Sequence, residues 1–139
     1  LMGTSTAGIA HAAIAAHILG LPMGYVRGTA KDHGRGNRIE GRLLPGQKTV
    51  VIEDLISTGG SVLDTVEALR QAGAEILGIV SIFTYQFEEA ERRMSETGVK
   101  NISLCDLDAL MQAAELKGYI TAEQRKMVEA FRADPKDWR

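Results

Sequence analysis

Apolar stretches of strand and helix character alternate along the chain. Val50, Val51 and Ile52 form a continuous β-branched run, which is typical of a parallel strand buried on both of its faces. Apolar positions at helical spacing follow this run. The pattern predicts one α/β domain over residues 1–139, with a doubly wound, mainly parallel sheet flanked by helices. The predicted strands are 1–3, 23–26, 48–52, 76–83 and 101–104, the last at an edge, and the predicted helices are 8–19, 61–72, 88–97 and 106–116, with a final helix opening at 121.

Several helix ends carry start and stop signals. Gly20 and Gly73 follow the last apolar positions of their helices, as expected of C-terminal caps. Thr121 and Gln124 have the spacing of a capping box, so the final helix is predicted to begin there. The residues predicted to form its buried face are Met127, Val128 and Phe131.

Two adjacent acids follow the apolar run, and we expect them to end the strand. Because side chains alternate along a strand, Glu53 and Asp54 cannot both lie in a dry core. We therefore expect them to meet solvent or a ligand at the carboxyl edge of the sheet. Small residues come next and lead into a helix, whose N-terminus attracts anions. These turn residues are Ser57, Thr58, Gly59, Gly60 and Ser61, and the helix that follows has Val62, Leu63, Val66 and Leu69 on one apolar face.

The order of acids and turn indicates the chemistry of a ligand. A monophosphate fits the small-residue turn, whereas two carboxylates beside it would repel a phosphate. They suit hydroxyl donors instead, and a ribose diol supplies those. The pattern predicts a site for a ribose 5-phosphate. The alternative is an ordinary strand-to-helix connection capped by Ser and Thr, which has no use for an acidic pair and two glycines.

Charge is balanced overall but locally basic. The formal net charge is −2 and the sequence pI is about 5.9, so no general field recruits nucleic acid. Residues 27–42 contain five Lys or Arg against two acids, and Ile39 is their one apolar residue larger than Ala, so this stretch cannot bury itself. The single cysteine, Cys105, excludes an internal disulfide and suits a reducing cytoplasm. No apolar run approaches the ~18 residues of a membrane span.

Three segments together carry a family resemblance. Residues 53–60 resemble the phosphoribosyl pyrophosphate signature of the type I phosphoribosyltransferases. Residues 25–34 are similar to the mobile catalytic loop of the orotate-specific members, and residues 3–12 to their pyrophosphate loop and the helix after it. The resemblance covers essentially the whole chain. It implies the type I phosphoribosyltransferase fold.

The resemblance also implies a reaction. Ribose 5-phosphate would pass from 5-phosphoribosyl 1-pyrophosphate to orotate, giving orotidine 5′-monophosphate and pyrophosphate in pyrimidine biosynthesis. Such a transfer has oxocarbenium character, so cations are needed near the departing pyrophosphate. Arg27, Lys31 and His33 are the expected catalytic residues, with Lys31 first among them. In the family this loop reaches the neighbouring subunit of a homodimer, so these residues are expected to act in trans.

Binding roles follow from the same resemblance. Ser57 is the expected orotate contact, and Tyr85 stands where other members place an arginine for the orotate carboxylate. Mg²⁺ is the implied cofactor, carried on substrate oxygens, so that no residue is assigned as a direct metal ligand. The expected contacts to 5-phosphoribosyl 1-pyrophosphate are Arg27, Lys31, His33, Glu53, Asp54, Leu55, Ile56, Ser57, Thr58, Gly59, Gly60 and Ser61, with Thr6 and Ala7 at the pyrophosphate.

One further expectation concerns the start of the chain. Family members carry an N-terminal segment that forms a hood over the base, and the chain starts at Leu1 in what reads as the tail of a strand, so we expect that segment to be missing.

Two alternatives to orotate transfer stay open. One is a purine-type phosphoribosyltransferase, and the other is a non-catalytic regulator that senses 5-phosphoribosyl 1-pyrophosphate. A sensor would need neither Lys31 nor His33.

Overall fold

A six-stranded sheet organises the part of the chain that the structure describes, which is residues 1–28 and 38–135 of a computed structural model. The strand order is β3-β2-β1-β4-β5-β6. Along the chain the elements are β1 (Met2–Thr4), α1 (Ala7–Leu19), β2 (Gly24–Val26), β3 (Ile39–Glu40), β4 (Lys48–Ile56), α2 (Gly60–Gln71), β5 (Glu75–Thr84), α3 (Glu88–Thr97), β6 (Asn101–Asp106), α4 (Leu107–Leu116) and α5 (Ala122–Ala133).

The sheet is parallel except at one edge. β1 pairs in parallel with both β2 and β4, and β4, β5 and β6 continue in parallel. From the central β1–β4 pair, the chain crosses from β1 to β2 on one side and from β4 to β5 on the other. Because such connections are right-handed, α1 and α2 lie on opposite faces of the sheet. The doubly wound, mainly parallel sheet expected from the sequence is confirmed, as is the edge position of β6.

β3 was not foreseen, because it lies inside the basic stretch. It pairs antiparallel with β2, where Val26 lies opposite Ile39 and Tyr25 opposite Glu40. Ile39 is half-buried and packs against the core, which gives two residues of an otherwise polar stretch a place in the sheet. So short a strand leaves no periodicity to detect in a sequence.

The acids do not end β4. The strand continues through Glu53 and Asp54 as far as Ile56, with Glu53 opposite Ser81 and Ile56 opposite Thr84 on β5. The prediction that the strand stops at residue 52 is therefore wrong. The physical reason is the length of β5, which spans Glu75–Thr84 and supplies a partner along the whole extension.

The main core lies between the sheet and the pair formed by α2 and α3. Val66 and Leu69 of α2 and Val51 of β4 are fully buried. Leu63, also predicted on this face, is half-buried against the same cluster. The cluster of buried residues comprises Met2, Val26, Val51, Ile56, Val62, Val66, Leu69, Ala74, Ile79, Ala90, Met94 and Val99.

Helix-end predictions are confirmed more closely than strand ends. Gly20 and Gly73 have φ of 64° and 87°, the left-handed values that favour glycine after a helix. At the start of α5, the Gln124 backbone N–H donates to Thr121 Oγ1 at 3.2 Å, and the Thr121 backbone N–H donates to Gln124 Oε1 at 2.8 Å. These two bonds form the predicted capping box.

One face of α5 was predicted too broadly. Met127 is 55% exposed, whereas Val128 and Phe131 are half-buried. Phe131 meets the rings of Tyr85 and Phe87 edge-on, with centroids 6.4 and 5.7 Å away. This aromatic contact and the ion pairs of Arg125 with Glu115 and of Arg132 with Asp108 hold α5 to the rest of the domain. No residue of α5 is fully buried. The prediction that Met127 is buried is wrong.

Close packing of α1 against β4 depends on Gly8. A methyl group there would lie 2.6 Å from the Ile52 carbonyl oxygen, which is backbone and cannot rotate away. Gly8→Ala is therefore expected to lower the free energy of unfolding by about 1–3 kcal/mol, as overpacking does. Without that clash, Gly→Ala within a helix would stabilise the protein. Urea denaturation measures the sign.

Gly28 provides the control for this change. An added methyl at Gly28 meets nothing within 4 Å among residues 1–28 and 38–135. Gly28→Ala should leave stability within about 0.5 kcal/mol, as for an ordinary surface substitution. A Gly8→Ala protein as stable as wild type would show that α1 does not rest on β4 as described.

Candidate functional site

The turn between β4 and α2 opens onto a hollow of about 260 Å³. It lies at the carboxyl edge of the sheet, where the central parallel strands end. Every residue of the predicted turn lines it, and Val62, which the sequence analysis placed only in the core, lines it too. The lining residues are Glu53, Leu55, Ile56, Ser57, Thr58, Gly59, Gly60, Ser61 and Val62.

Glycine geometry leaves the first turn of α2 open. Gly59 is the N-cap residue and has φ of 77° and ψ of 0°, a left-handed conformation that a side chain would strain. No side chain caps this end of the helix among the described residues. The first N–H groups of α2 are thus available to an anion. The alternative of a Ser- or Thr-capped connection does not match this arrangement.

The two acids differ in burial. Glu53 is only 5% exposed, whereas Asp54 is half-buried. Glu53 Oε1 accepts a hydrogen bond from the Asp54 backbone N–H at 3.0 Å. Glu53 nevertheless lines the hollow at the turn. The expectation that both acids meet solvent or a ligand therefore stays a prediction.

Burial has a large effect on the acidity of Glu53. Desolvation, together with the neighbouring Asp54 carboxyl, raises the pKa of Glu53 to about 8. The Thr4 hydroxyl makes no standard hydrogen bond among the described residues. It lies near Glu53 and lowers the pKa of that carboxyl slightly, against the larger effect of burial. Glu53 therefore holds a proton at neutral pH in the folded chain.

This proton makes stability depend on pH. An unfolded Glu53 loses its proton near pH 4.5, and the folded one near pH 8, so between these values the folded state binds more protons. The free energy of unfolding should fall as pH rises through this window, because the unfolded state gains relative stability as protons become scarce. Urea denaturation at pH 5 and pH 8 measures that fall.

Glu53→Gln should reduce this fall, because the amide keeps a neutral group at the buried position. Glu67→Gln is the control, since Glu67 is an exposed carboxyl on α2. It should leave the fall unchanged. An equal fall in wild type and Glu53→Gln would contradict the assignment of the buried proton to this residue.

The segment predicted to hold pyrophosphate lies at the same edge of the sheet. Ser5 follows β1 and bonds to the Val26 carbonyl oxygen twice, from its N–H at 3.2 Å and from its hydroxyl at 2.6 Å. Thr6 and Ala7 are exposed beyond it, and no side chain in the described part of the chain caps the start of α1. Because β1 and β4 are adjacent and parallel, this segment and the acids end side by side.

Arg27 stands where the basic segment leaves the sheet. Its Nε lies 3.2 Å from Glu40 Oε1, and its backbone N–H donates to the Arg38 carbonyl oxygen at 2.8 Å. Arg38 Nη1 donates to Asp64 Oδ1 on α2 at 3.2 Å. Arg38 and Asp64 were not foreseen, since nothing in the sequence marks residues 26 positions apart as partners. Lys31 and His33 lie outside the described residues.

Three other sequence candidates have defined surroundings. His11 and His17 are exposed on α1. Tyr85 stacks on Phe87, with centroids 5.2 Å apart and an interplanar angle of 13°, and belongs to an aromatic cluster. Within residues 1–28 and 38–135 there is no group of three or more His, Cys, Asp or Glu arranged to hold a metal. No helix in those ranges has the length and apolarity to cross a bilayer.

Comparisons with known proteins agree on one family. Residues 1–116 match the model of the phosphoribosyl transferase domain. An orotate phosphoribosyltransferase of Streptococcus thermophilus is 49% identical over 138 residues, which are 99% of this chain and 66% of that protein. The chain thus spans just under two thirds of the length of this relative.

Solved structures give the same picture. The orotate phosphoribosyltransferase of Aeropyrum pernix has a TM-score of 0.75 at 30% identity, covering 86% of this chain and 65% of that one. The UMP synthase of Leishmania donovani has a TM-score of 0.78 at 27% identity, covering 94% of this chain and 28% of that one.

Proposed function

The chain belongs to the phosphoribosyl transferase family, and from that premise we propose that it is the catalytic core of an orotate phosphoribosyltransferase. The protein transfers ribose 5-phosphate from 5-phosphoribosyl 1-pyrophosphate to orotate and releases pyrophosphate. The observation that carries the proposal is the glycine turn at the open N-terminus of α2, which only two residues separate from an acidic pair. Residues 1–139 act as one core domain. As a pyrimidine-pathway enzyme acting on diffusible metabolites, it works in the cytoplasm.

Substrate binding uses three neighbouring features of the sheet edge. The 5-phosphate occupies the 57–61 turn and accepts hydrogen bonds from its N–H groups and hydroxyls. Asp54, the less buried acid, accepts from the ribose diol, and Glu53 lines the hollow at the turn. The pyrophosphate lies at Thr6 and Ala7, where the start of α1 offers uncapped N–H groups. Ser57 faces the orotate ring.

Catalysis consists of stabilising the leaving pyrophosphate. The bond from ribose C1 to the pyrophosphate oxygen breaks as the orotate nitrogen approaches C1, and positive charge develops on the ring while negative charge develops on the leaving oxygens. Arg27, Lys31 and His33 place cations near those oxygens, where exclusion of water strengthens the attraction. In a homodimer this segment serves the neighbouring subunit.

Mg²⁺ fits the donor set at this edge as a substrate-borne ion. Glu53 is buried and holds a proton at neutral pH, so it is a poor direct ligand. Asp54 and the hydroxyls of the turn remain as oxygen donors beside the phosphates. Mg²⁺ keeps several waters and commonly binds through substrate phosphates. When bound, it neutralises charge on the pyrophosphate.

The test follows the absorbance of orotate in the complete protein with Mg²⁺ and 5-phosphoribosyl 1-pyrophosphate. Consumption of orotate that depends on both additions is the expected result. Turnover with adenine and not with orotate would replace the proposal by a purine-type transferase. Binding of 5-phosphoribosyl 1-pyrophosphate without turnover of any base would replace it by a regulator.

A further inference from the structure

Among the residues that the structure describes, no positively charged side chain lines the hollow at the turn. Its lining consists of small polar residues, apolar residues and one acid, Glu53. The phosphate of ribose 5-phosphate carries up to two negative charges, and the end of a helix supplies only about half an elementary charge in compensation. A bound phosphate at this turn therefore calls for a cation from a neighbouring element.

Arg93 of α3 is placed to supply that cation. A methyl group built on Gly60, the first residue of α2, would lie 3.4 Å from Arg93 Nη1 and 4.0 Å from Thr58 Oγ1. The guanidinium thus lies against the first turn of α2, on which the Thr58 hydroxyl also borders. Its side chain is 38% exposed, so it reaches solvent and ligand while being partly shielded.

Packing holds α3 against the turn. The Cβ position of Gly59 is 3.7 Å from both Ala90 Cβ and Met94 Cε, which is ordinary van der Waals contact. Ala90 and Met94 are buried in the core cluster, and Arg93 comes from the same helix. The backbone of Arg93 is therefore held in a fixed position close to the turn.

A salt bridge with Glu89 sets the resting orientation of Arg93. Arg93 Nη2 lies 2.7 Å from Glu89 Oε1, one helical turn earlier. Glu89 also lines a second hollow with Thr58, so this pair borders the turn. Nη1 is the nitrogen within 3.4 Å of the Cβ position of Gly60, while Nη2 is paired with the acid. Glu89 competes with a bound phosphate for the same cation.

We propose that Arg93 binds the 5-phosphate group of the substrate, as the cation that completes the 57–61 turn. The inference rests on the proposed function, from which it takes the phosphate. The residue acts on affinity, since a charge near the phosphate is equally close before and after transfer at C1. Lys retains the charge of Arg at this position, whereas Gln does not.

The experiment measures the dissociation constant of ribose 5-phosphate by calorimetry with the complete protein. Arg93→Gln should weaken binding about 5- to 30-fold, the range expected for one nearby, partly screened charge. Arg93→Lys should recover most of that loss. Arg92→Gln is the matched control, because Arg92 also pairs with a glutamate one helical turn away, Glu96 at 2.6 Å, but is more exposed. It should bind as wild type does.

A second variant separates charge from structure. Glu89→Gln removes the competing acid and should strengthen binding, a gain that loss of a structural salt bridge would not produce. Raising the salt concentration should weaken binding less in Arg93→Gln than in wild type. Equal affinities for Arg93→Gln and Arg92→Gln would overturn the role of Arg93 and leave the proposed function standing. Absence of ribose 5-phosphate binding in wild type would overturn the proposed function as well.

Discussion

Replacing Lys31 by alanine is expected to lower the turnover of the complete enzyme about 100- to 1,000-fold, the loss that follows removal of one group stabilising a developing anion. Lys31 lies outside the described residues, and its role is proposed from the resemblance of residues 25–34 to a catalytic loop. Its ammonium charge acts on oxygens that become more negative as the bond at C1 breaks. The interaction is therefore stronger in the transition state than in the bound substrate.

The turnover number and the dissociation constant of 5-phosphoribosyl 1-pyrophosphate should be measured side by side. Turnover should fall while affinity stays within a few fold. Lys48→Ala is the control, because Lys48 is exposed at the start of β4, at the opposite end of the strand from the acids. It should leave both quantities unchanged. A fully active Lys31→Ala enzyme would remove Lys31 from the mechanism.

Asp54→Asn should weaken binding of 5-phosphoribosyl 1-pyrophosphate about 10- to 100-fold, which corresponds to losing a charge-assisted hydrogen bond of about 1.5–3 kcal/mol. An amide accepts hydrogen bonds less strongly than a carboxylate, and its NH₂ group cannot accept one from a ribose hydroxyl. Asp54 carries this interaction because Glu53, its neighbour, is buried. Calorimetry in the presence of Mg²⁺ measures the loss.

A matched change at the opposite end of the strands tests whether the effect of Asp54→Asn is local. Glu75 is an exposed acid at the start of β5, far along the strand direction from the turn. Glu75→Gln should leave affinity unchanged. If Asp54→Asn also kept the affinity of wild type, the assignment of this carboxylate to the ribose diol would be contradicted.

Most of the helices and strands could be predicted from short patterns in the sequence. The helix ends at Gly20 and Gly73 and the start of α5 at Thr121 are encoded within a few residues, by left-handed glycines and a capping box. The features that sequence patterns missed depend on partners far along the chain. β3 exists because β2 lies beside it, and β4 extends to Ile56 because β5 runs that far.

The candidate site divides in the same way. Its turn is contiguous, so residues 57–61 could be identified from the sequence alone, and the structure groups them around one hollow. The burial of Glu53 could not be read from a pattern that made both acids equivalent. Arg93 and the Arg38–Asp64 pair become visible only when separate elements are brought together. A helical arginine paired at i,i+4 otherwise looks like any surface residue.

The extension of β4 beyond the acids has a consequence for binding entropy. Ladder pairs flank the acids on both sides, with Ile52 opposite Val80 before them and Leu55 opposite Phe83 after them. Their backbone is therefore ordered when the domain folds, before any sugar arrives. A ligand meeting this preorganised pair loses less of its binding energy to ordering the protein than it would on a loop.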